Sequence, residues 1–221
     1  MTHGQNTQYP QQLFELRERI KRSLSPNHDA NVLDRAAVAL LLYGPLDSLE
    51  ILLIKRSQRD GDPWSGHLAL PGGRPDESDL NHYQTAVRET FEEVAIDLGG
   101  CHYLGELPAV APRMRQQVGP LIFPHLFWTD QTFEFSPNPQ EVDSVFHLSV
   151  HQLFDSQNFE QKFFQMNNGE TINLPSMRLP QGILWGLTYV IIIQLMEQIL
   201  GTSIGHSYWQ ENELPKWWRR P

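Results

Sequence analysis

The chain has 221 residues, 40% of them hydrophobic, a formal charge of −9 and one cysteine, Cys101. That is enough apolar material for one domain with decorations, and it excludes a wholly disordered chain. A diffuse acidic balance argues against general affinity for nucleic-acid backbones or anionic membranes. A lone cysteine makes no intrachain disulfide and reads as a small apolar residue in a reducing compartment.

The start of the chain lacks a basic stretch followed by an apolar run, so no signal peptide is expected and a soluble, cytoplasmic protein is. Residues 10–24, PQQLFELRERIKRSL, carry Leu13, Leu16, Ile20 and Leu24 at helical spacing. They predict an amphipathic N-terminal helix packed on the main body, and with the linker after it they form the segment 1–33. AAVALLLYG (36–44) and LEILLIKRS (49–57) read as apolar strands joined by the turn residues PLDS, a hairpin. HLALPGG (67–73) reads as a short strand running into a glycine turn. Residues 79–94, DLNHYQTAVRETFEEV, predict a helix capped by Asp79 or Ser78, with Leu80, Tyr83, Val87, Phe91 and Val94 as its buried stripe.

Strand candidates follow at CHYLGEL (101–107), GPLIFPHLFW (119–128), TFEFS (132–136) and VDSVFHLSV (142–150), the last running into a short helix at HQLF. The apolar run ILWGLTYVIIIQLM (183–196) is shorter than the roughly 20 residues a membrane-spanning helix needs, and reads as a buried helix. The order of hairpin, strand, helix, strands and helix predicts an α+β fold over 34–200 rather than regular βαβ alternation. The tail, 201–221, is expected to fold back on the surface or on a partner chain. The apolar C-terminal helix suits a homodimer.

Glu89, Glu92 and Glu93 share one helix face at i, i+3 and i+4. With Val87 at the centre of the stripe and about 100° per residue, Glu92 lies about 140° away, Glu89 about 200° and Glu93 about 240°. All three then project away from the core, and a solvated outer face is the ordinary explanation. Two features favour a ligand instead. The cluster has one sign with only Arg88 beside it, and the upstream LPGG lets the backbone bend tightly and offer a carbonyl or amide. A backbone group beside three carboxylates makes an oxygen-only site that suits Mg²⁺ or Mn²⁺. The nine histidines are scattered, without zinc-ligand spacing.

Taken together, PGGRPDESDLNHYQTAVRETFEEVAI (71–96) resembles a Nudix box, G-x5-E-x7-R-E-U-x-E-E-x-G-U with U a bulky apolar residue. Arg88, Glu89, Glu92, Glu93 and Ile96 are in place, with Thr90 at the first U. The stretch from Gly73 to Arg88 is one residue longer than usual, Leu80 stands eight before Arg88 where a glutamate is expected, and Ala95 replaces the late glycine. The longer spacing, with Asp76 and Asp79 inside it, is similar to the coenzyme A pyrophosphatase branch of the family. So is the upstream LLIKRSQRDGDPWSGHLALPGG, where Leu52, Leu53, Arg56, Ser57 and Gly66 fit the branch signature, Asp62 stands in place of an arginine and Leu70 in place of a phenylalanine. Downstream, EVDSVFHLSVHQL and LWGLTYVII resemble segments of the same branch.

The resemblance implies a Nudix fold, an α/β/α sandwich with a mixed sheet between helices. It implies a metal-dependent hydrolase that cleaves coenzyme A or its derivatives to 3′,5′-ADP and 4′-phosphopantetheine. Other nucleoside diphosphate derivatives (NADH, ADP-ribose, a nucleotide sugar, a dinucleoside polyphosphate) are alternative substrates, and a non-catalytic nucleotide-binding module is an alternative role. Glu89 and Glu93 are the first choice as ligands of Mg²⁺ or Mn²⁺, and the resemblance adds the Gly72 carbonyl. Glu92 would hold a second ion or bridge through water, and Arg88 would orient a glutamate by a charge-assisted hydrogen bond. Glu141 is the leading candidate for the base, with Glu134 and Asp143 as alternatives, and a metal-activated hydroxide would need none. Arg56, Arg113 and Arg115 are candidates for substrate phosphates. Trp64 would stack on adenine or pack its loop.

Overall fold

The computed structural model describes residues 18, 35–45, 48–62, 64–110, 113–114, 117–118, 121–154, 156–165 and 171–200. Apart from Glu18, the expected N-terminal helix and linker lie outside the described residues, as do Arg115 and the tail.

Strands β1 (Arg35–Tyr43) and β2 (Glu50–Arg56) form the expected hairpin, but only near its turn, where Leu42 faces Ile51 and Tyr43 faces Glu50. Beyond that the two strands part, and the LALPGG segment enters between them. Strand β3 (Leu68–Ala69) pairs with β2, while β4 (Gly72–Gly73) pairs with β1 at Ala37 and Val38. Strand β5 (His102–Glu106) and a small hairpin, β6 (Arg113–Met114) and β7 (Gln117–Val118), come next. Strand β8 (Leu121–Thr129) runs parallel to β1 along its whole length and carries β5 on its outer edge. Strand β9 (Val142–Ser149) closes the far side against β2. The result is a mixed sheet of seven strands.

The pleat assigns the two faces. Ala37, Ala39 and Leu41 of β1, with Leu52 and Ile54 of β2, meet Ala86 and Val94 of helix α1 (His82–Val94). Leu40, Leu42, Ile51 and Leu53 face the other way, toward Tyr189, Ile192 and Met196 of helix α2 (Gly186–Leu200). A second sheet of β10 (Phe159–Gln165), β11 (Thr171–Leu179) and β12 (Gly182–Trp185) completes that layer. This is the α/β/α arrangement with a mixed central sheet that the sequence implies. Of the apolar residues of α2, Ile191, Ile192, Ile193 and Leu195 are buried within one chain. No helix among the described residues is long and apolar enough to cross a membrane.

Four local expectations are corrected. Helix α1 starts at His82 and is capped by Asn81, whose Oδ1 accepts the Gln84 N–H at 3.0 Å. Its buried face is Thr85, Ala86, Thr90, Glu93 and Val94, whereas Leu80 and Phe91 are 82% and 57% exposed. The helix packs on the alanines of β1 and beside the glycine turn, so its small residues go inward. TFEFS forms no strand. Ser136 and Asn138, just beyond Phe135, donate their N–H groups to the Val94 and Glu93 carbonyls at 3.2 and 2.9 Å, closing the end of α1 instead. Finally, residues 183–185 belong to strand β12, and helix α2 begins only at Gly186, which turns the chain with φ 66°.

Candidate active site

The parting of β1 and β2 brings Gly72 and Gly73 to the flank of α1. Gly72 has φ 148°, and a Cβ on it would lie 2.2 Å from the Ala37 carbonyl oxygen. A Cβ on Gly73 would lie 2.5 Å from the Glu89 carboxylate. A side chain at Gly72 would strike the β1 backbone, and one at Gly73 would displace the Glu89 carboxylate, which is the physical content of the paired glycines.

Glu93 lies in this crevice rather than on the outer face. It is 2% exposed, and its Oε2 accepts the Gly72 N–H at 2.9 Å. Burial, with Glu89 and Glu141 repelling it, pushes its carboxyl up to about 8, against the opposing pull of the Gly72 N–H and Arg56. Glu89 is raised as well, first by burial and then by Glu92 and Glu141, with Arg88 opposing. The fold thus gathers Glu89, Glu93 and Glu141 within electrostatic reach of one another. Glu92 points elsewhere: its side chain is 52% exposed and accepts from Arg88 Nη1 at 2.9 Å.

Arg88 fastens the rest. Its Nη2 meets Glu89 Oε1 at 2.9 Å and the Arg74 carbonyl at 3.0 Å. Its Nε and Nη2 also reach Asp79, at 3.2 Å to Oδ1 and 2.9 Å to Oδ2. The Asp79 side chain is 4% exposed. Burial alone would raise its carboxyl, but the bonds from Arg88 and from the Asp76 N–H hold it below the ordinary value. Sequence reasoning missed this role. Asp79 is the sixth residue after Gly73, the place of the pattern's first glutamate when counted forward from the glycine. The extra residue follows it, and counting back from Arg88 lands on exposed Leu80.

Arg56 ends β2, and its Nη2 pairs with Asp62 Oδ2 at 3.1 Å. Glu141 faces Arg59, a residue the sequence did not single out, at 3.7 Å. Among the other base candidates, Asp143 pairs with Lys55 at 3.5 Å and Glu134 is exposed. Trp64 is 46% exposed. Arg113 sits in β6.

The donor set can be tested against a divalent ion. Among the described residues, no three acidic, histidine or cysteine side chains close on one point as a ready-made cage. They form instead a partial set of carboxylate and backbone oxygen in which burial, with other carboxylates nearby, pushes the Glu93 carboxyl up to about 8. A divalent cation fits there in place of the proton. Mg²⁺ in particular completes its shell with water and substrate phosphates, so a partial set of protein ligands suits it.

Comparison with known proteins extends the picture. The NUDIX domain family matches residues 33–166. A mitochondrial coenzyme A diphosphatase of Mus musculus is 29% identical over 206 residues, covering 88% of this chain and 93% of that protein. An uncharacterized protein of Schizosaccharomyces pombe is 56% identical over 59 residues, 26% of this chain and 18% of that protein. Among solved structures, a MutT/nudix family protein from Enterococcus faecalis is 15% identical, with a TM-score of 0.52 over 90% of this chain and 76% of that one.

Proposed function

The chain belongs to the Nudix hydrolase family as a pyrophosphohydrolase, and from that premise we propose that it cleaves the diphosphate of coenzyme A or an acyl derivative. The products are 3′,5′-ADP and 4′-phosphopantetheine or its acyl form. The observation that carries the hydrolytic reading is the buried Glu93 beside Glu89 and the Gly72–Gly73 turn. The choice of coenzyme A is supported by the Leu52–Gly73 signature and by the likeness to the mouse diphosphatase.

Glu89, Glu93 and the Gly72 carbonyl would hold Mg²⁺ or Mn²⁺, with Glu92 on a second ion or bridging through water. The cation supplies charge compensation for the diphosphate and acidifies water. Arg88, itself held by Asp79, fixes the Glu89 carboxylate. Glu141 takes a proton from the attacking water as its oxygen bonds to phosphorus and the bridging P–O bond breaks. Arg56, Arg113 and Arg115 receive phosphate oxygens. Nothing in this scheme needs a second copy of the chain. The lone cysteine, Cys101, is free, which suits a reducing interior, and the cytoplasm is the compartment this reading assigns.

The Arg56–Asp62 pair favours a second reading. A carboxylate stands where the branch carries an arginine, and this suits a nucleoside diphosphate derivative with fewer phosphates, such as NADH or ADP-ribose. Incubating the protein with coenzyme A, NADH, ADP-ribose and diadenosine polyphosphates, each with Mg²⁺ and with Mn²⁺, separates the two by product mass. Metal-dependent release of 3′,5′-ADP is expected. Turnover of another compound with coenzyme A untouched would keep the family and discard the branch.

A further inference from the structure

A nucleoside diphosphate brings a base as well as phosphates, and the acidic recess accounts only for the phosphates. The described part of the connection from β2 to β3, residues 57–62 and 64–67, runs beside that recess. It is fixed by many bonds. The Arg59 N–H donates to Ser65 Oγ at 2.9 Å, and the same hydroxyl donates back to the Arg59 carbonyl at 2.8 Å. The Gly66 N–H donates to the Arg56 carbonyl at 3.1 Å. Gly66 has φ 71°, the left-handed backbone that favours glycine, and a Cβ there would displace the end of the Gln58 side chain. Arg59 Nε donates to the Gln140 carbonyl at 2.7 Å, tying the turn to the segment that carries Glu141.

Asp62 uses both carboxylate oxygens within this turn. Its Oδ1 accepts the Trp64 N–H at 2.9 Å, and its Oδ2 accepts from Arg56 Nη2 at 3.1 Å. Arg56 in turn lies close enough to Glu93 to act on its carboxyl. Trp64 is therefore two bonded steps from a cation that reaches the recess. Its ring stands 46% exposed, edge-on to His67 with centroids 6.0 Å apart. His67 meets Trp185 in the same manner at 5.0 Å. The bond from the Trp64 N–H to Asp62 fixes the backbone at this half-exposed residue, which lowers the ordering cost of stacking a flat ligand on the indole.

We propose that Trp64 is the surface on which the nucleobase of the substrate stacks, with Asp62 as the residue that positions it. This rests on the reading of the substrate as a nucleoside diphosphate derivative, and not on coenzyme A in particular. Every base has a flat π-face, so the platform takes a nucleobase by stacking and leaves the diphosphate to the recess.

Calorimetric titration of the Mg²⁺-loaded protein with ADP and with inorganic pyrophosphate tests it. Trp64→Ala is expected to weaken ADP by about tenfold and to leave pyrophosphate unchanged. Trp64→Phe should restore ADP, and Asp62→Ala, which frees the Trp64 backbone and also unpairs Arg56, should weaken ADP relative to pyrophosphate. In turnover, Trp64→Ala should raise KM and spare kcat. Unchanged ADP affinity in Trp64→Ala, an equal loss for pyrophosphate, or failure of Trp64→Phe to rescue overturns the platform alone. Failure of the unaltered protein to bind either ligand overturns the functional reading with it.

Discussion

The carboxyl that takes the Gly72 N–H at 2.9 Å, that of Glu93, is also one whose ionisation is strongly opposed, because 2% exposure and two neighbouring carboxylates disfavour its charge. The consequence for stability has a definite sign. The metal-free fold keeps a proton on Glu93 up to about pH 8, whereas the unfolded chain releases it near 4.5. Stability from this group is full below the unfolded value and is lost as pH rises through the folded one.

Metal-free protein should therefore lose on the order of a few kcal/mol between pH 5 and pH 8.5 in denaturant titrations. Added Mg²⁺ should stabilise more at the upper end. Glu93→Gln should flatten the pH dependence while lowering kcat by about 10²- to 10³-fold. An unchanged pH dependence in this variant would show that Glu93 is not the group responsible.

Asp79 touches no substrate in this scheme, and it acts through Arg88 and Glu89. Asp79→Asn keeps the shape and removes the charge that fixes the guanidinium. A loss of about 10- to 100-fold in activity is expected, together with a higher Mg²⁺ requirement. Asp79→Glu should recover much of the activity. A cation titration of kcat for the three proteins checks this, and equal Mg²⁺ requirements would reduce Asp79 to a role in stability only.

Ala95 closes α1 with φ 60° and ψ 30°, a left-handed conformation in which its Cβ is crowded. It stands where the Nudix pattern has glycine, so the departure from the pattern carries local strain. Ala95→Gly should stabilise the protein by about 0.5–1 kcal/mol, since relief of that strain outweighs the added freedom of the unfolded chain. A rise of a few degrees in Tm with unchanged kcat is the expected result.

Much of the site was legible because it is local. Gly72, Gly73, Arg88, Glu89 and Glu93 sit within one turn and one helix, and their spacing survives in the linear sequence. The orientation of Glu93 was not legible. Ranking helix positions by size put Leu80 and Phe91 inside, but α1 packs against Ala37 and Ala39 and buries Ala86 and Thr90 instead. Close packing against small residues reverses the usual amphipathic reading, and only the three-dimensional partner reveals it. Arg59 was missed for a similar reason, since its contacts with Gln140 and Glu141 span more than eighty residues of chain. The hairpin of β10 and β11 was missed because FEQKFFQ shows no period-two alternation of apolar and polar residues.

The divided edge of β1 has a kinetic consequence. One strand gives half of an edge to its hairpin partner, half to the glycine turn, and its other edge to distant β8. The crevice around Glu93 is thus framed by the long-range pairing of β1 with β8, a contact that costs loop closure before it forms. Once formed, it opens only when the central strands separate. The amide protons of Val38 and Gly72 should exchange with solvent at rates set by global unfolding rather than by fraying, so that the capacity to hold an ion and the integrity of the whole sheet are lost in a single event.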